Sequence, residues 1–476
     1  MKYKEECMRR HVFRVVLCIA CICFWGTAAF AQEPSVPPAE PEPGASEPGP
    51  RFGFSLGLLF GQASFGTNDL GETETYQKLG VFPDFSYGNL GIGLDFYLHY
   101  RFVEGDFQVR QEDWIPSGDQ TILDIIFSKI RYVRWARKGD PLYIKFGSID
   151  NNILGNGYIM GNYDNTLFLP EKRILGLNFD MDGRLFGFPL IGLETMVDDV
   201  AALDLFGARL FVRPLGLSDI PILSMLELGT TFVMDRDPFK YVDGAYVTSL
   251  GFDPDKEHSI NAIGVDLKQP ILTQAPFTFS LFGDLVWLDD FKATGAMVGL
   301  GGKIIDIFTY TAQLRINGEN FIPVYFDQTY DLSRADKYAL VKNGGIESYL
   351  GWYAGLGMEI TSILFFQVSL EGPLTEVDAA YIKYPHLRAV LTLQQGLVPG
   401  LSVDMLYDKA MLGSRDGFFE DLFTPEDALT TIKIHYTMGP AMITLLYEIR
   451  YVPDAGAGED KWQVTSGLEC ALTLPL

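Results

Sequence analysis

Strand-length runs in which apolar and polar side chains alternate recur along this chain, and Trp462–Leu476 shows the pattern plainly. Trp462, Val464, Leu468, Cys470, Leu472, Leu474 and Leu476 are apolar, broken only by Ser466. Gln463, Thr465, Gly467, Glu469, Ala471 and Thr473 between them are small or polar. Successive side chains of a strand point to opposite faces, so this stretch predicts one strand with an oily and a wet face. A chain that ends on such a strand leaves an open edge unless that edge meets another strand. Pairing with the first strand of the same chain would close the sheet into a barrel.

The body repeats the pattern. Ile92, Leu94, Phe96, Leu98 and Tyr100 oppose Asp95, Tyr97, His99 and Arg101. Phe277, Phe279, Leu281, Leu285 and Trp287 oppose Thr278, Ser280 and Asp284, and Ile443, Leu445, Tyr447 and Ile449 oppose Thr444, Glu448 and Arg450. Tight reversals are expected at 87–90, 137–140, 182–184, 396–400 and 438–440, where Gly, Pro, Asn or Asp cluster. Longer polar connections fall at 61–76, 103–121, 150–171, 236–258, 320–348, 373–385, 410–427 and 452–460. Short and long connections in alternation predict an all-β, closed antiparallel transmembrane β-barrel of about 20 strands (18–22), with short periplasmic turns and long extracellular loops. Tyr100, Trp287, Tyr407, Tyr451 and Trp462 at the ends of oily faces suit an interfacial girdle. No self-similar period points to a propeller.

The terminal stretch resembles the closing strand of bacterial outer-membrane β-barrels, a porin-like family whose last residue is usually aromatic where this chain has Leu476. Lys129–Trp135, Gly139–Gly147 and Gly155–Tyr163 resemble a hairpin and loop of large, mostly uncharacterised outer-membrane barrels. The resemblance implies a Gram-negative-type outer-membrane location. It also implies lipid and small polar solutes as partners, engagement of the barrel-assembly machinery through 462–476, and room for a homo-oligomer.

Residues 1–31 have the form of a secretory signal peptide: Lys2, Lys4, Arg9, Arg10 and Arg14, then an apolar core at 15–24, then Ala29-Phe30-Ala31 as the cleavage motif. Residues 32–50 form a Pro/Glu-rich periplasmic linker, leaving 51–476 for the barrel. Four of the five cysteines fall inside the leader, so only Cys470 remains and no disulfide scaffold or thiol metal site is expected. A net charge of −24 argues against a nucleic-acid partner.

The polar faces nominate lumen or constriction residues: Asp95, His99, Arg101, Lys129, Arg131, Lys145, Asp284, Arg315, Glu448 and Arg450. Arg209, Glu227 and Lys433 join them on the same grounds. Fixed charge at a narrow point sets ion preference, although any water-filled barrel needs a polar lining. The Gly- and Asn-rich loop 149–165 could fold inward and narrow the pore, or lie exposed. The acidic loops 320–348 and 410–427 have no calcium-loop spacing and are expected to be solvated. No zinc-protease, nucleophile-elbow or Walker motif occurs, and no catalytic residue, cofactor or metal is expected. The predicted function is a porin-like channel for passive diffusion of small polar solutes. The alternatives are a transporter of hydrophobic compounds with a plugged barrel, for which no helical hatch is visible, and a surface adhesin or structural barrel.

Overall fold

In the computed structural model the described residues are 52–475, apart from 68–72, 104, 117–120, 170–172, 221, 275, 361–362, 395–397, 416, 425, 440 and 452–461. The expected leader, with Ala29 and Ala31, and the linker 32–50 lie outside them. The strands are β1 (Phe52–Thr67), β2 (Thr73–Tyr87), β3 (Leu90–Leu94), β4 (Phe96–Val103), β5 (Asp106–Val109), β6 (Ile130–Trp135) and β7 (Leu142–Gly147). Next come β8 (Gly176–Asp182), β9 (Ile191–Val197), β10 (Leu205–Val212), β11 (Glu227–Asp235), β12 (Ile260–Leu272), β13 (Phe279–Leu288), β14 (Ala293–Ile304) and β15 (Phe308–Asn317). The last are β16 (Tyr349–Ile360), β17 (Leu364–Pro373), β18 (His386–Leu393), β19 (Leu401–Lys409), β20 (Ala428–Met438), β21 (Ala441–Tyr451) and β22 (Trp462–Pro475). The described helices are α1 (Ile122–Phe127), α2 (Gly244–Ser249), α3 (Tyr330–Asn343), α4 (Ala380–Lys383) and α5 (Phe418–Asp421). None of them is long and apolar enough to cross a membrane.

Each strand pairs antiparallel with its neighbours in one 22-stranded sheet. The sheet closes where β22 meets β1, from Ser55 opposite Pro475 to Phe60 opposite Cys470. Closure removes the free edge that a terminal strand would otherwise present. Two staves are interrupted. Asp95 separates β3 from β4, and the described residues between β5 and β6 (111–116 and 121–128) belong to no strand, while β5 and β6 both pair with the β3/β4 stave. Counting each interrupted pair once, the 22 strands make a wall of twenty staves, the expected number. Val298, Ile316, Leu356 and Leu445 are each more than half exposed on the outer face. Leucine and valine in a continuous belt around a closed sheet have no counterpart within the protein, and lipid covers them.

The register identifies the inner face, because one set of alternate residues touches chain segments folded inside the wall. The tip of loop 149–165 reaches β9 through the Gly155 amide, which donates to Glu194 Oε2 at 3.2 Å. Tyr158 Oη in the same loop donates to Asn317 Oδ1 on β15 at 2.8 Å. Loop 320–348 zips onto it: Val324 N donates to Tyr158 O, Phe326 N to Ile159 O and Gly161 N to Phe326 O. Contacts spread over so wide an arc are possible only from within the barrel. The two segments bury Ile149, Tyr158, Met160, Phe321, Phe326 and Tyr330 against Met196, Leu205, Val233 and Val286 of the inner wall.

The expectation of a uniformly polar inner face therefore needs correction. Its extracellular half is apolar on β9–β14, because there the wall packs against protein and not water. No helical hatch is visible in the sequence, yet α3 lies within the barrel as part of loop 320–348. That loop is not simply solvated: Asp331, Arg334 and Lys337 are all buried. Loop 410–427 folds the other way, laying Leu422 and Phe423 on outer-face residues such as Tyr407 and Ile432. Its Asp421 is buried in an ion pair with Lys409 at 3.2 Å, so it too departs from a solvated loop. The supposed loop 61–76 is mostly strand, with only 68–72 between β1 and β2, and the supposed loop 103–121 contains β5, which pairs back on β4. Ile126 and Phe127 belong to α1.

Candidate functional site

Beneath the in-folded loops, the inner wall from β12 to β19 borders a cavity of about 660 Å³. Loop residues Ile153, Gly155, Asn156, Gly157, Gly161 and Asn162 form part of its upper side, and the other lining residues include Lys268, Ser280, Gln313, Arg315, Gln367, Glu371, His386, Arg388 and Asp408. The volume falls in the range of small-molecule sites, roughly 300–1,000 Å³.

The charged groups of this wall are joined to one another. Arg315 Nη1 donates to Glu371 Oε2 at 2.7 Å, and Arg315 Nε to Gln313 Oε1 at 3.0 Å. His386 Nε2 lies 2.7 Å from Asp408 Oδ1, and its Nδ1 lies 3.6 Å from Glu371 Oε1. Arg388 Nε donates to Gln328 Oε1 at 2.8 Å, tying β18 to the in-folded segment. The strand pairing puts these residues in register: Tyr353, Glu371 and His386 stand side by side, and Ser369 opposes Arg388, which opposes Asp408.

A second polar group sits along β9–β12. Arg209 is almost wholly buried and donates Nε and Nη2 to the two oxygens of Asp266 at 2.9 and 2.6 Å. Its Nη2 also reaches Glu227 at 2.9 Å and its Nη1 reaches Glu194 at 3.3 Å. Gly155 has a φ of +60°, and a Cβ there would stand 2.9 Å from Arg209 Nε. A glycine is needed both for the left-handed turn and for this close approach. Asp284 joins the group through Asn156 Nδ2, which donates to it at 2.9 Å.

A third group, at the extracellular rim, anchors α3. Arg334 holds Asp235 and Asp204, Tyr330 Oη donates to Asp235 at 2.6 Å, and Tyr163 Oη donates to Asp331 at 3.1 Å. Burial pushes the Asp331 carboxyl up to about 6, against the pull of Arg334. Burial also raises Asp198 well above the usual carboxylate range, with the neighbouring Asp204 adding to the effect. Asp204 is held below that range: burial opposes ionisation, but Arg334 and Lys240 outweigh it.

The sequence-nominated residues are not gathered at one point. Asp95, His99, Arg101, Lys129 and Arg131 cluster at the interrupted staves. His99 Nδ1 lies 2.7 Å from Asp113, the Arg101 guanidinium lies over the Tyr76 ring, and Lys129 donates to the Asp113 carbonyl at 2.8 Å. Lys129 lies at the end of the segment between β5 and β6, not within a strand as expected. A shift of register beside Gly93 lets both Arg131 and Tyr132 reach Asp84, each at 2.7 Å. Arg173 pairs with Asp95, and Lys145 with Asp150. Asp284 belongs to the Arg209 group, and Arg315 to the cavity wall. Glu448 stands opposite Thr431 on the inner face, and the Arg450 side chain lies outside those described. Sequence reasoning missed Glu371, His386, Arg388 and Asp408. Their alternation was legible, but they sit at strand ends beside long loops, where periodicity gives out.

No family model matches the chain, and no curated protein matches it. Among solved structures it is similar to Wzi, described as an Escherichia coli outer-membrane protein involved in group 1 capsule assembly and a carbohydrate-binding β-barrel. Identity to Wzi is 10%, the TM-score is 0.34, and the match covers 89% of this chain and 84% of that one. It is similar to OccAB4 of Acinetobacter baumannii at 11% identity and a TM-score of 0.35, over 90% of this chain and 99% of that one. It is similar as well to the outer-membrane protein OprD of Pseudomonas aeruginosa at 10% identity and a TM-score of 0.31, over 89% and 94% of the two chains.

Proposed function

We propose that this barrel is a passive outer-membrane channel for small polar solutes, narrowed from the extracellular side by its own in-folded loops. The observation that carries the reading is the polar cavity along β12–β19. The loops fill the upper interior against an apolar stretch of wall, yet below them the lining is hydroxyl, amide and paired charge. A barrel with no aqueous route has no need of a polar inner wall at that depth. The loops would leave a narrow passage, and Arg315, Glu371, His386, Arg388 and Asp408 would line it. In this reading the leader 1–31 directs export, and β22 engages the assembly machinery during insertion. The experiment is single-channel recording of the refolded full chain in planar bilayers with ion substitution. Steady, ion-dependent unitary currents are the expected result; a protein that inserts but never conducts overturns the reading.

One observation favours a second reading, lateral transfer of an apolar solute. The segment between β5 and β6 leaves an interrupted stave, and its helix α1 exposes Ile122, Leu123 and Ile126 while Phe127 packs on Phe146 of the outer face. A membrane protein that takes up a fluorescent long-chain lipid analogue without passing ions fits this second reading and not the first.

A further inference from the structure

The wall of the cavity carries a regular row. Ser280, Gly301, Thr311, Gly355 and Ser369 stand side by side, one from each of the five neighbouring strands β13–β17. The next row toward the 305–307 turn is Lys303, Thr309, Gly357 and Gln367. Adjacent strands lie ~4.8 Å apart, so the hydroxyls of the first row recur about every 10 Å with a bare glycine between them. Those glycines keep the Ser280 and Thr311 hydroxyls open to the cavity, whereas the third, on Ser369, is hydrogen-bonded to Tyr353. A Cβ at Gly301 would come within 3.2 Å of Thr311 Oγ1, and one at Gly357 would collide with Thr309 Oγ1. Phe282 and Tyr353 flank the rows on the extracellular side and present apolar ring surface to the same space.

The partnering of these groups divides by charge. Arg315 is paired with Glu371, His386 with Asp408, Lys303 with Glu359 and Asp327 with Lys337. Among the described residues, Lys268 is the one lining cation with no ion-pair partner. The side chains of Ser280, Thr309, Thr311 and Gln367 line the cavity without a side-chain hydrogen-bond partner among the described residues. A cationic solute entering here would have to displace existing ion pairs, and an anionic one finds a free partner only in Lys268 at the β12 side; elsewhere each sheds water without full compensation. A neutral polyol exchanges its water for free hydroxyl and amide partners and lays its C–H faces on the rings.

We propose that the β13–β17 wall is a binding site for an uncharged saccharide of one to three rings, met by the solute on its way through the barrel. The proposal rests on the channel reading and adds to it the class of solute. Spacing of the hydroxyls by two strands suits every second ring of a linear chain, and Gln367 and Gln313 supply the amide donors at either side. The paired charges frame the site and do not bind. A solute that carries a carboxylate in place of one hydroxymethyl keeps the same size but loses the fit.

The test is current block by maltose in planar bilayers holding the full-length protein, with the uronic-acid form of maltose, in which one hydroxymethyl is a carboxylate and both rings are kept, as the matched probe. Maltose is expected to reduce the ion current saturably, and the uronate to need at least about tenfold more for the same block, the loss of roughly one satisfied polar contact. Gln367→Leu and, separately, Thr311→Val are each expected to raise the maltose half-block concentration several-fold. Each variant's ion current is recorded first, so that only a folded, conducting barrel is scored. An open channel that maltose does not block, or that both probes block equally, overturns the saccharide site while leaving the channel reading intact. Absence of any ion current removes the channel reading itself and the site with it.

Discussion

The guanidinium of Arg334 holds both carboxylate oxygens of Asp235, Nε to Oδ2 and Nη2 to Oδ1, each at 2.6 Å. One partner is on the in-folded helix and the other at the extracellular end of β11, 99 residues apart in the chain. The same guanidinium reaches Asp204 at 2.9 Å. A bidentate, dry ion pair fixes direction as well as distance, so it sets where α3 sits inside the wall. Removing one partner of a buried pair leaves the other uncompensated, at a cost of ~3–5 kcal/mol. Arg334→Leu is therefore expected to free loop 320–348 while the wall persists. Unitary conductance should rise and protease should cut within 320–348; a variant with unchanged conductance and protection would refute this anchoring role.

Asp331 makes the anchorage of α3 depend on pH. Its folded-state carboxyl is raised to about 6, first by burial, from an ordinary value near 3.8. The folded form thus binds the proton more tightly. Its favourable share is complete below about 3.8 and is lost as pH rises through about 6. Above that pH the ionised, buried group opposes docking by on the order of 3 kcal/mol. Asp204, held low, acts in the opposite sense, so the clean measurement is a difference. Asp331→Asn should slow proteolysis of 320–348 at pH 7 and leave it nearly unchanged at pH 4.

Arg209 is the hub of three carboxylates, Asp266, Glu194 and Glu227. Arg209→Met would leave them facing one another in a nearly dry part of the wall. The expected loss is ~3–5 kcal/mol, read as a lower temperature at which the barrel loses its compact electrophoretic mobility in detergent. Asp266→Asn, which keeps a hydrogen-bonding side chain at that position, should lose less.

Outside the wall, Lys409 reaches Asp421 at 3.2 Å and Thr424 Oγ1 at 3.0 Å. Asp421→Ala should unlatch loop 410–427 from the outer face at Tyr407. Limited proteolysis should then cut inside 410–427, with the heat stability of the barrel little altered. Equal loss of both would show the flap to be part of the wall.

Val298 projects outward from β14 with 63% of its surface uncovered. Val298→Arg places a charge in the hydrocarbon belt, with an expected cost of ~2–4 kcal/mol in lipid. The same change at Gly299, one residue on and facing inward, would meet the Phe282 ring and fail for a steric reason instead. Folding yields into vesicles against detergent micelles separate the two, because only the outer charge is relieved when lipid is replaced.

Alternation by itself determined the wall. Leu281 and Leu285 against Ser280 and Asp284, or Leu314 and Ile316 against Gln313 and Arg315, set the faces of β13 and β15 before any contact is known. The same alternation in 462–476 set the closing strand that pairs with β1. A period of two is a local property, carried by each residue and its neighbours, so it survives in a sequence read without coordinates. What fills the barrel was decided only by the tertiary structure. Tyr158 meets Asn317 across 159 residues, and Gly155 meets Arg209 where no repeat marks either position. Loops 149–165 and 320–348 mix charge with apolar residues in no period, and such a mixture suits solvent as well as an interior. The choice depends on whether Asp235, Asp204 and the apolar inner faces of Met196, Leu205 and Val233 stand where the loops can reach them. Closing the wall puts them there, so the interior follows from the closed barrel and not from the loops' own composition.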